Sequence, residues 1–174
     1  MPAIVTPNTV FEPVPLWAKV PHGIWLREAT SVAVDSDDNV FVFNRGNKPV
    51  LVFDPEGNVI NMWGNDNPPD DVRITHDAYG NASQFWNTWF NRPHAITIDH
   101  EGNIWVVDDN AHQVHKMTKS GEFLMTVGSG TPAPKQSGDM FHRPTDVVIS
   151  KTTNEIFITD GYDNSRIHRL DPDG

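Results

Sequence analysis

Histidines are the first residues to consider for chemistry, because the chain has eight of them and no cysteine. Imidazole and carboxylate are then the only side-chain ligands available to a metal, and there is no thiol nucleophile. His112 and His115 stand three apart in a predicted strand, so we expect them to point to opposite faces and not to share a metal. Five others have no partner at metal-ligand spacing and are expected to be solvated: His22, His76, His100, His142 and His168. The eighth, His94, precedes a predicted strand.

Composition and charge narrow the function classes. The chain has 174 residues, 37% of them hydrophobic, and a net charge of −10. This acidic charge is spread along the chain and repels phosphate, so we expect no nucleic acid and no membrane as a partner. No Gly-x-Ser-x-Gly, His-Glu-x-x-His, EF-hand or Walker motif occurs. The N-terminal region lacks the basic start and apolar centre of a secretory signal, which predicts a cytoplasmic protein, with a secreted protein whose leader was removed as the alternative.

An internal repeat organises the chain. Shifting the sequence by 64 residues aligns residues 31–64 with residues 95–128 without a gap. The aligned positions keep their chemistry; Asp35, for example, falls on Asp99. A third copy begins at Pro144 and contains two single-residue insertions. Self-similarity of this kind predicts a repeat architecture.

Each copy predicts a meander of antiparallel strands. Apolar residues alternate with polar ones, and turn sequences such as Glu-Gly-Asn separate the runs. Within each copy β-branched residues dominate the apolar positions, and no segment keeps a helical period for more than about two turns, which argues against helices. The predicted strands are residues 30–35, 39–44, 49–54 and 58–63; 94–99, 103–108, 113–118 and 122–127; and 145–150, 155–160 and 166–171.

Four-stranded repeats pack radially into a β-propeller, so the predicted fold class is all-β. The predicted boundaries are an extended segment at 1–28 and a partial propeller at 29–174, with blades at about 29–64, 92–128 and 144–174. A propeller typically closes with about 4–8 blades, which favours the front part of a longer chain. The alternative is a three-bladed protein that self-associates through its open blade faces.

Two connections are longer than ordinary blade-to-blade loops, residues 65–91 and 129–143. Long loops in compact domains are often functional. The first connection carries four aromatic residues: Phe85, Trp86, Trp89 and Phe90. These side chains either line the mouth of a pocket or cover the end of a blade.

The meander topology brings one set of polar residues to a single rim. Antiparallel pairing puts the start of each first strand and the end of each second strand at the same end of a blade. We therefore expect His94, Arg45, Tyr162 and the Asp108-Asp109-Asn110 turn on one rim. Both repeat equivalents of His94 are threonines, so the repeat itself does not require an imidazole there. A hydrogen-bonded structural histidine and a functional one both remain open.

The segments around this rim resemble a known family. They are Phe43-Asn44-Arg45-Gly46; Arg92-Pro93-His94-Ala95-Ile96 with Asp108-Asp109-Asn110-Ala111-His112-Gln113-Val114; and Arg143-Pro144-Thr145-Asp146-Val147 with Asp160-Gly161-Tyr162-Asp163-Asn164-Ser165-Arg166. They are similar to the NHL-repeat propeller of the peptidyl-α-hydroxyglycine α-amidating lyase family. The resemblance runs from about residue 29 to residue 174 and implies a six-bladed β-propeller, of which this chain covers the front half.

The resemblance also implies a reaction and a site. Members of that family use a zinc ion held by three histidines, and they split the hydroxyglycine end of a peptide into a peptide amide and glyoxylate. His94 matches the first zinc ligand, Arg45 the arginine that binds the substrate carboxylate, and Tyr162 the tyrosine assigned to proton abstraction. The backbone carbonyls of Val32 and Ile96 match positions that hold a structural calcium.

The chain departs from the family at Asp163, where animal members have a cysteine, so the disulfide that braces the tyrosine loop is absent here. This is expected of bacterial-type relatives in a reducing compartment. The family's other zinc ligands come from later blades, so we expect this fragment by itself to be inactive and to bind neither zinc nor calcium tightly. One hypothesis is a lyase for a small peptide substrate, completed by the rest of a full-length chain. The other is a non-enzymatic scaffold that binds a peptide or protein ligand on the same rim.

Overall fold

The computed structural model of the chain describes residues 4–6, 9–66, 72–76, 82–86 and 88–174. In chain order its strands are β1 (Ile4–Thr6), β2 (Thr9–Phe11), β3 (Ser31–Val34), β4 (Val40–Phe43), β5 (Val50–Phe53), β6 (Val59–Trp63), β7 (Val72–His76), β8 (Ala82–Trp86), β9 (Pro93–Ile98), β10 (Ile104–Asp108), β11 (Gln113–Met117), β12 (Phe123–Val127), β13 (Asp146–Ile149), β14 (Ile156–Asp160) and β15 (Arg166–Leu170). These described residues contain no helix. Accordingly, none of them forms a helix long and apolar enough to cross a membrane.

The strands form antiparallel sheets in which neighbours in the chain are neighbours in space. Two sheets have four strands, β3-β4-β5-β6 and β9-β10-β11-β12, and a third has β13-β14-β15. Two hairpins, β1-β2 and β7-β8, stand apart from these sheets. The predicted meanders are confirmed, and each strand of the three larger sheets begins and ends within one residue of its predicted bounds.

Aspartates close the turns between the first two strands of a sheet. Asp35 accepts a hydrogen bond from the backbone N–H of Asn39 at 2.9 Å, and Asp99 accepts one from Asn103 at 2.8 Å. The indole of Trp105 donates a further hydrogen bond to Asp99 at 2.9 Å. Burial acts to raise the pKa of Asp99, but the hydrogen bonds from Trp105 and Asn103 outweigh it and hold that pKa below its ordinary value. Both turns therefore depend on an ionised carboxylate.

The three larger sheets pack side by side with their first strands adjacent. β3 contacts β9, and β9 contacts β13; the Ser31 hydroxyl donates to the carbonyl of Ile96 on the neighbouring sheet at 3.4 Å. One apolar core joins the first and second sheets, and another joins the second and third. Alternate residues of β10 enter the two cores, as Val106 and Val107 illustrate. This is the arrangement of propeller blades, and the sheets are named blades 1, 2 and 3 below.

The segment before blade 1 lies against the outer part of that blade. The Trp17 ring packs on Phe53 with centroids 5.4 Å apart, and its indole N–H donates to the carbonyl of Pro55 at 2.9 Å. Gly57 has a φ of +83°, and a Cβ atom there would lie 1.9 Å from the carbonyl oxygen of Trp17. Only glycine permits both the backbone conformation and this close approach.

The long connection between blades 1 and 2 contains the β7-β8 hairpin, which the sequence did not predict. Phe90 is buried and meets Phe43 edge to face, with centroids 5.1 Å apart. Trp89 stacks on Trp63 at 6.3 Å. These two aromatic residues cover the junction of the blades. The side chains of the other two lie outside the described residues: Phe85 and Trp86.

Candidate functional site

His94 and Tyr162 come together although 68 residues separate them. His94 lies near the start of β9 in blade 2, and Tyr162 follows the last residue of β14 in blade 3 by two positions. The Nε2 atom of His94 is 3.2 Å from the Tyr162 hydroxyl, and the two rings meet edge to face with centroids 5.7 Å apart. The other nitrogen of His94, Nδ1, is buried and has no hydrogen-bond partner among the described residues.

Arg45 reaches the same place from blade 1. It follows β4, and its Nε donates to the carbonyl of Pro93, the residue before His94, at 3.1 Å. Its Nη1 atom forms an ion pair with Glu28 at 2.6 Å. The structure therefore brings the side chains of His94 and Tyr162 together and places Arg45 against the backbone of the residue before His94. Each of the three residues is supplied by a different blade.

A guanidinium group lies against the face of Tyr162. The Cζ atom of Arg143 is 4.3 Å from the centre of the tyrosine ring, within the range of a cation–π interaction. The same guanidinium donates from Nη2 to Asp109 at 2.9 Å, and the side chain of Asp109 is fully buried. Arg92 approaches the same oxygen of Asp109 at 3.4 Å. Asp109 was predicted on the rim, whereas the contact of Arg143 with Tyr162 was not predicted.

A carboxylate at the end of the second strand holds the loop that leads into the first strand. Asp108, the last residue of β10, accepts a hydrogen bond from the backbone N–H of Arg92 at 2.8 Å. Asp160, the last residue of β14, likewise accepts the backbone N–H of His142 at 3.0 Å. Burial raises the pKa of the Asp108 carboxyl. These contacts explain why His94, two residues after Arg92, has a defined position at the rim.

The loop that carries Tyr162 is braced through the side chain of the next residue, Asp163. Asp163 receives the Lys135 ammonium at 2.8 Å and the Nε2 atom of His142 at 3.4 Å. The hydrogen bond from Lys135 is the main reason that the pKa of Asp163 lies below its ordinary value. Nδ1 of His142 lies 2.5 Å from the carbonyl of Ala133. Residues of the long connection between blades 2 and 3 thus hold the tyrosine loop where the family resemblance implied a disulfide in animal relatives.

Two expectations about the remaining histidines were wrong. His142 and His168 are not solvated: His142 carries the contacts just described, and buried His168 lies with Nε2 3.2 Å from Asp160. His112 precedes β11 and has a φ of +56°, so the strand alternation argument does not apply to it. Its ring meets that of His142 at 5.6 Å, and burial, followed by the charge of His142, lowers the pKa of His112. His22 and His100 are exposed, and the side chain of His76 lies outside the described residues.

The described residues contain no cluster of three His, Asp or Glu side chains that could hold a metal ion. A catalytic zinc site generally takes three protein ligands, whereas His94 offers one imidazole at the predicted position. Val32 and Ile96 lie on the adjacent first strands β3 and β9. Calcium takes about 6–8 oxygen ligands, so two backbone carbonyls are only part of such a site. The zinc and calcium assignments stay predictions.

Comparison with known proteins identifies the repeat. The NHL repeat family model matches residues 90–117, which include β9, β10 and β11. These residues are therefore similar to an NHL repeat. This match and the observed sheets together confirm an all-β propeller fold.

The same resemblance extends to amidating lyases. The chain is 34% identical over 159 residues to peptidylglycine alpha-amidating monooxygenase of Rattus norvegicus. This alignment covers 84% of the chain and 16% of the rat protein. It is 32% identical over 179 residues to peptidyl-alpha-hydroxyglycine alpha-amidating lyase 2 of Drosophila melanogaster. That alignment covers 100% of this chain and 42% of the fly protein. The predicted resemblance is confirmed, and the chain spans less than half the length of either relative.

A solved structure shares the fold. A protein of unknown function from Bacteroides thetaiotaomicron aligns with a TM-score of 0.51 over 81% of this chain and 32% of that chain, at 15% identity. At this level of identity the similarity concerns the fold alone.

Proposed function

We propose that this chain supplies part of the catalytic site of a zinc-dependent peptidyl-α-hydroxyglycine α-amidating lyase. The observation that carries the proposal is the contact between His94 and Tyr162, together with the hydrogen bond from Arg45 to the residue before His94. Similarity to the fly lyase over the whole of this chain supports it independently.

The reaction needs a base and a carboxylate-binding group. A proton leaves the hydroxyl of the hydroxyglycine, its C–N bond breaks as the aldehyde of glyoxylate forms, and the amide nitrogen takes up a proton. In this proposal the Tyr162 phenolate, formed when the phenol gives its own proton to solvent, accepts the substrate hydroxyl proton. The Tyr162 side chain is half-exposed and therefore reachable by a substrate. Nε2 of His94 lies 3.2 Å from the Tyr162 oxygen, so the proposed base stands next to the proposed zinc ligand.

Arg45 is suited to hold the substrate carboxylate. Its guanidinium is a planar fork of donors that matches a carboxylate, and such hydrogen bonds are stronger than neutral ones. In the free protein one arm of this fork binds the carboxylate of Glu28 at 2.6 Å, which shows that the group accepts an anion of this kind. A substrate carboxylate would take the place of Glu28.

Zinc, when bound, would act as a Lewis acid on the substrate oxygen. One imidazole does not complete a zinc site, so the described residues do not fit the metal by themselves, and no step above depends on it. We further propose that the 174-residue chain alone neither binds zinc tightly nor turns over substrate, because His94 is the one ligand available at the repeat position.

The test is glyoxylate release from benzoyl-α-hydroxyglycine by the gene product that carries this segment, with added zinc. Tyr162→Phe and His94→Ala should each abolish most of the activity, whereas His100→Ala, which removes an exposed imidazole, should not. Calorimetric titration with zinc should show tight binding by that gene product and weak binding by the 174-residue chain. Full activity in Tyr162→Phe would refute the role of Tyr162 as the base. Binding of the peptide without any release of glyoxylate by the wild-type gene product would refute the proposal and favour the scaffold alternative.

A further inference from the structure

We infer that Arg143, anchored by the buried carboxylate of Asp109, is a positioning residue that sets the orientation of the Tyr162 ring towards His94. The inference rests on the proposed function, because it concerns the residue that takes the proton. The guanidinium of Arg143 lies 4.3 Å from the ring centre of Tyr162. The hydroxyl of the same ring lies 3.2 Å from Nε2 of His94.

The position of Arg143 is fixed at both ends of the residue. Its backbone N–H donates to Nδ1 of His112 at 3.1 Å, and its φ of +65° is a left-handed conformation that an arginine adopts only when surrounding contacts impose it. At the far end, Nη2 donates to Asp109 at 2.9 Å. A side chain held in this way presents a rigid cation to the tyrosine ring.

The Asp109 carboxylate is buried and therefore needs cationic partners. Its side chain is fully excluded from solvent, and a buried carboxylate is costly unless a cation and hydrogen bonds compensate it. Two arginines form ion pairs with the Asp109 carboxylate: Nη2 of Arg143 lies 2.9 Å from Oδ2, and Nη1 of Arg92 lies 3.4 Å from the same oxygen. Asp109 therefore anchors the guanidinium that lies on the Tyr162 ring.

The repeat provides a matched control. Arg92-Pro93-His94 and Arg143-Pro144-Thr145 are equivalent segments of blades 2 and 3. Both arginines pair with Asp109, but the contact with the tyrosine ring is made by Arg143. Replacing either arginine removes one positive charge and one ion-pair partner of Asp109. Only the replacement of Arg143 also removes the contact with the Tyr162 ring, so a comparison of the two variants isolates the effect of that contact.

Tyrosine NMR reads the orientation without any substrate. The chain has two tyrosines, so ¹³C-tyrosine labelling gives two sets of ring signals, and Tyr162→Phe assigns them. Arg143→Gln should shift the Tyr162 signals and weaken the cross-relaxation between its ring and His94. Arg143→Lys, which keeps a cation, should restore part of the wild-type spectrum, and Arg92→Gln should leave the Tyr162 signals in place. If Arg143→Gln does not fold, Asp109→Asn offers a second route, since it frees Arg143 and should broaden the same signals.

Kinetics on the gene product that carries the segment then connect orientation to chemistry. Arg143→Gln should lower kcat about 3- to 30-fold with little change in KM, the range that corresponds to a cation–π contact. Unchanged Tyr162 signals in Arg143→Gln, or equal shifts in Arg143→Gln and Arg92→Gln, would overturn the inference. The outcome for the proposed function is separate, because absence of glyoxylate release by the wild-type gene product removes that function whatever the spectra of Arg143→Gln show.

Discussion

Acid should destabilise this chain through one buried histidine, His115 of β11. Its side chain is 7% exposed, packs edge to face on Phe123 with centroids 5.2 Å apart, and places Nδ1 2.9 Å from the Thr126 hydroxyl. Burial lowers the pKa of His115 from 6.5 to about 4. The neutral imidazole is therefore the form that the folded chain accepts.

The size and sign of the effect follow from proton linkage. The unfolded chain binds a proton at His115 near the ordinary pKa of 6.5, whereas the folded chain does so only near about 4. The stability that the neutral form provides is complete above pH 6.5 and is lost as the pH falls towards about 4. A difference of this size, at about 1.4 kcal/mol per pKa unit, corresponds to roughly 3 kcal/mol of unfolding free energy.

The assay is urea unfolding followed by tryptophan emission, for wild type and His115→Gln, from about pH 7 down to about pH 4.5. Glutamine keeps a group that can bond Thr126 but does not titrate, so the variant should start less stable and lose about 2–3 kcal/mol less across this interval. His100→Gln is the control, because His100 is exposed and its loss should leave the wild-type pH dependence intact. Parallel pH profiles for wild type and His115→Gln would show that the buried imidazole is not the acid-sensitive group.

Three further predictions concern the rim and the N-terminal segment. Glu28→Gln should free Arg45 for a substrate carboxylate and lower KM for benzoyl-α-hydroxyglycine about 2- to 5-fold, the worth of a partly exposed ion pair; an unchanged KM would mean that Glu28 does not compete. Asp163→Asn removes the carboxylate that Lys135 and a histidine share, so the Tyr162 NMR signals should broaden, and high salt should broaden them in wild type as well; sharp signals in both cases would contradict the brace. Gly57→Ala should release the segment that covers blade 1 and lower the urea midpoint, because the new Cβ meets backbone at 1.9 Å; a wild-type midpoint would refute this.

The strands could be predicted because the same strand pattern occurs in two copies of the repeat. Residues 31–64 and 95–128 carry the same alternation and the same turn residues, so each copy confirms the register of the other. The prediction of His94, Arg45 and Tyr162 on one rim followed from topology, since antiparallel order alone puts the end of a second strand beside the start of a first. The β7-β8 hairpin has no repeat partner, and no comparable signal was available for it.

The contacts that hold the site were harder to predict because they join loops across blades. Arg143 meets Asp109 from 34 residues away, and Lys135 meets Asp163 across the connection between blades 2 and 3. Alternation and turn chemistry describe a single blade and do not specify such contacts. The one available signal was the Arg-Pro pair shared by Arg92 and Arg143, which marks equivalent loops in two blades.

The position of blade 2 between two cores bears on how the chain opens. Every residue of β10 is buried, and both faces of this blade are covered by other sheets. In repeat proteins, stability is roughly the sum of each unit and its interfaces with its neighbours, so a unit with two such interfaces resists local opening longest. His94 belongs to blade 2, and the outer part of blade 1, the blade that supplies Arg45, is covered by the segment before that blade. Amide hydrogen exchange should therefore be slowest in β10, and local opening should leave the imidazole of His94 in place.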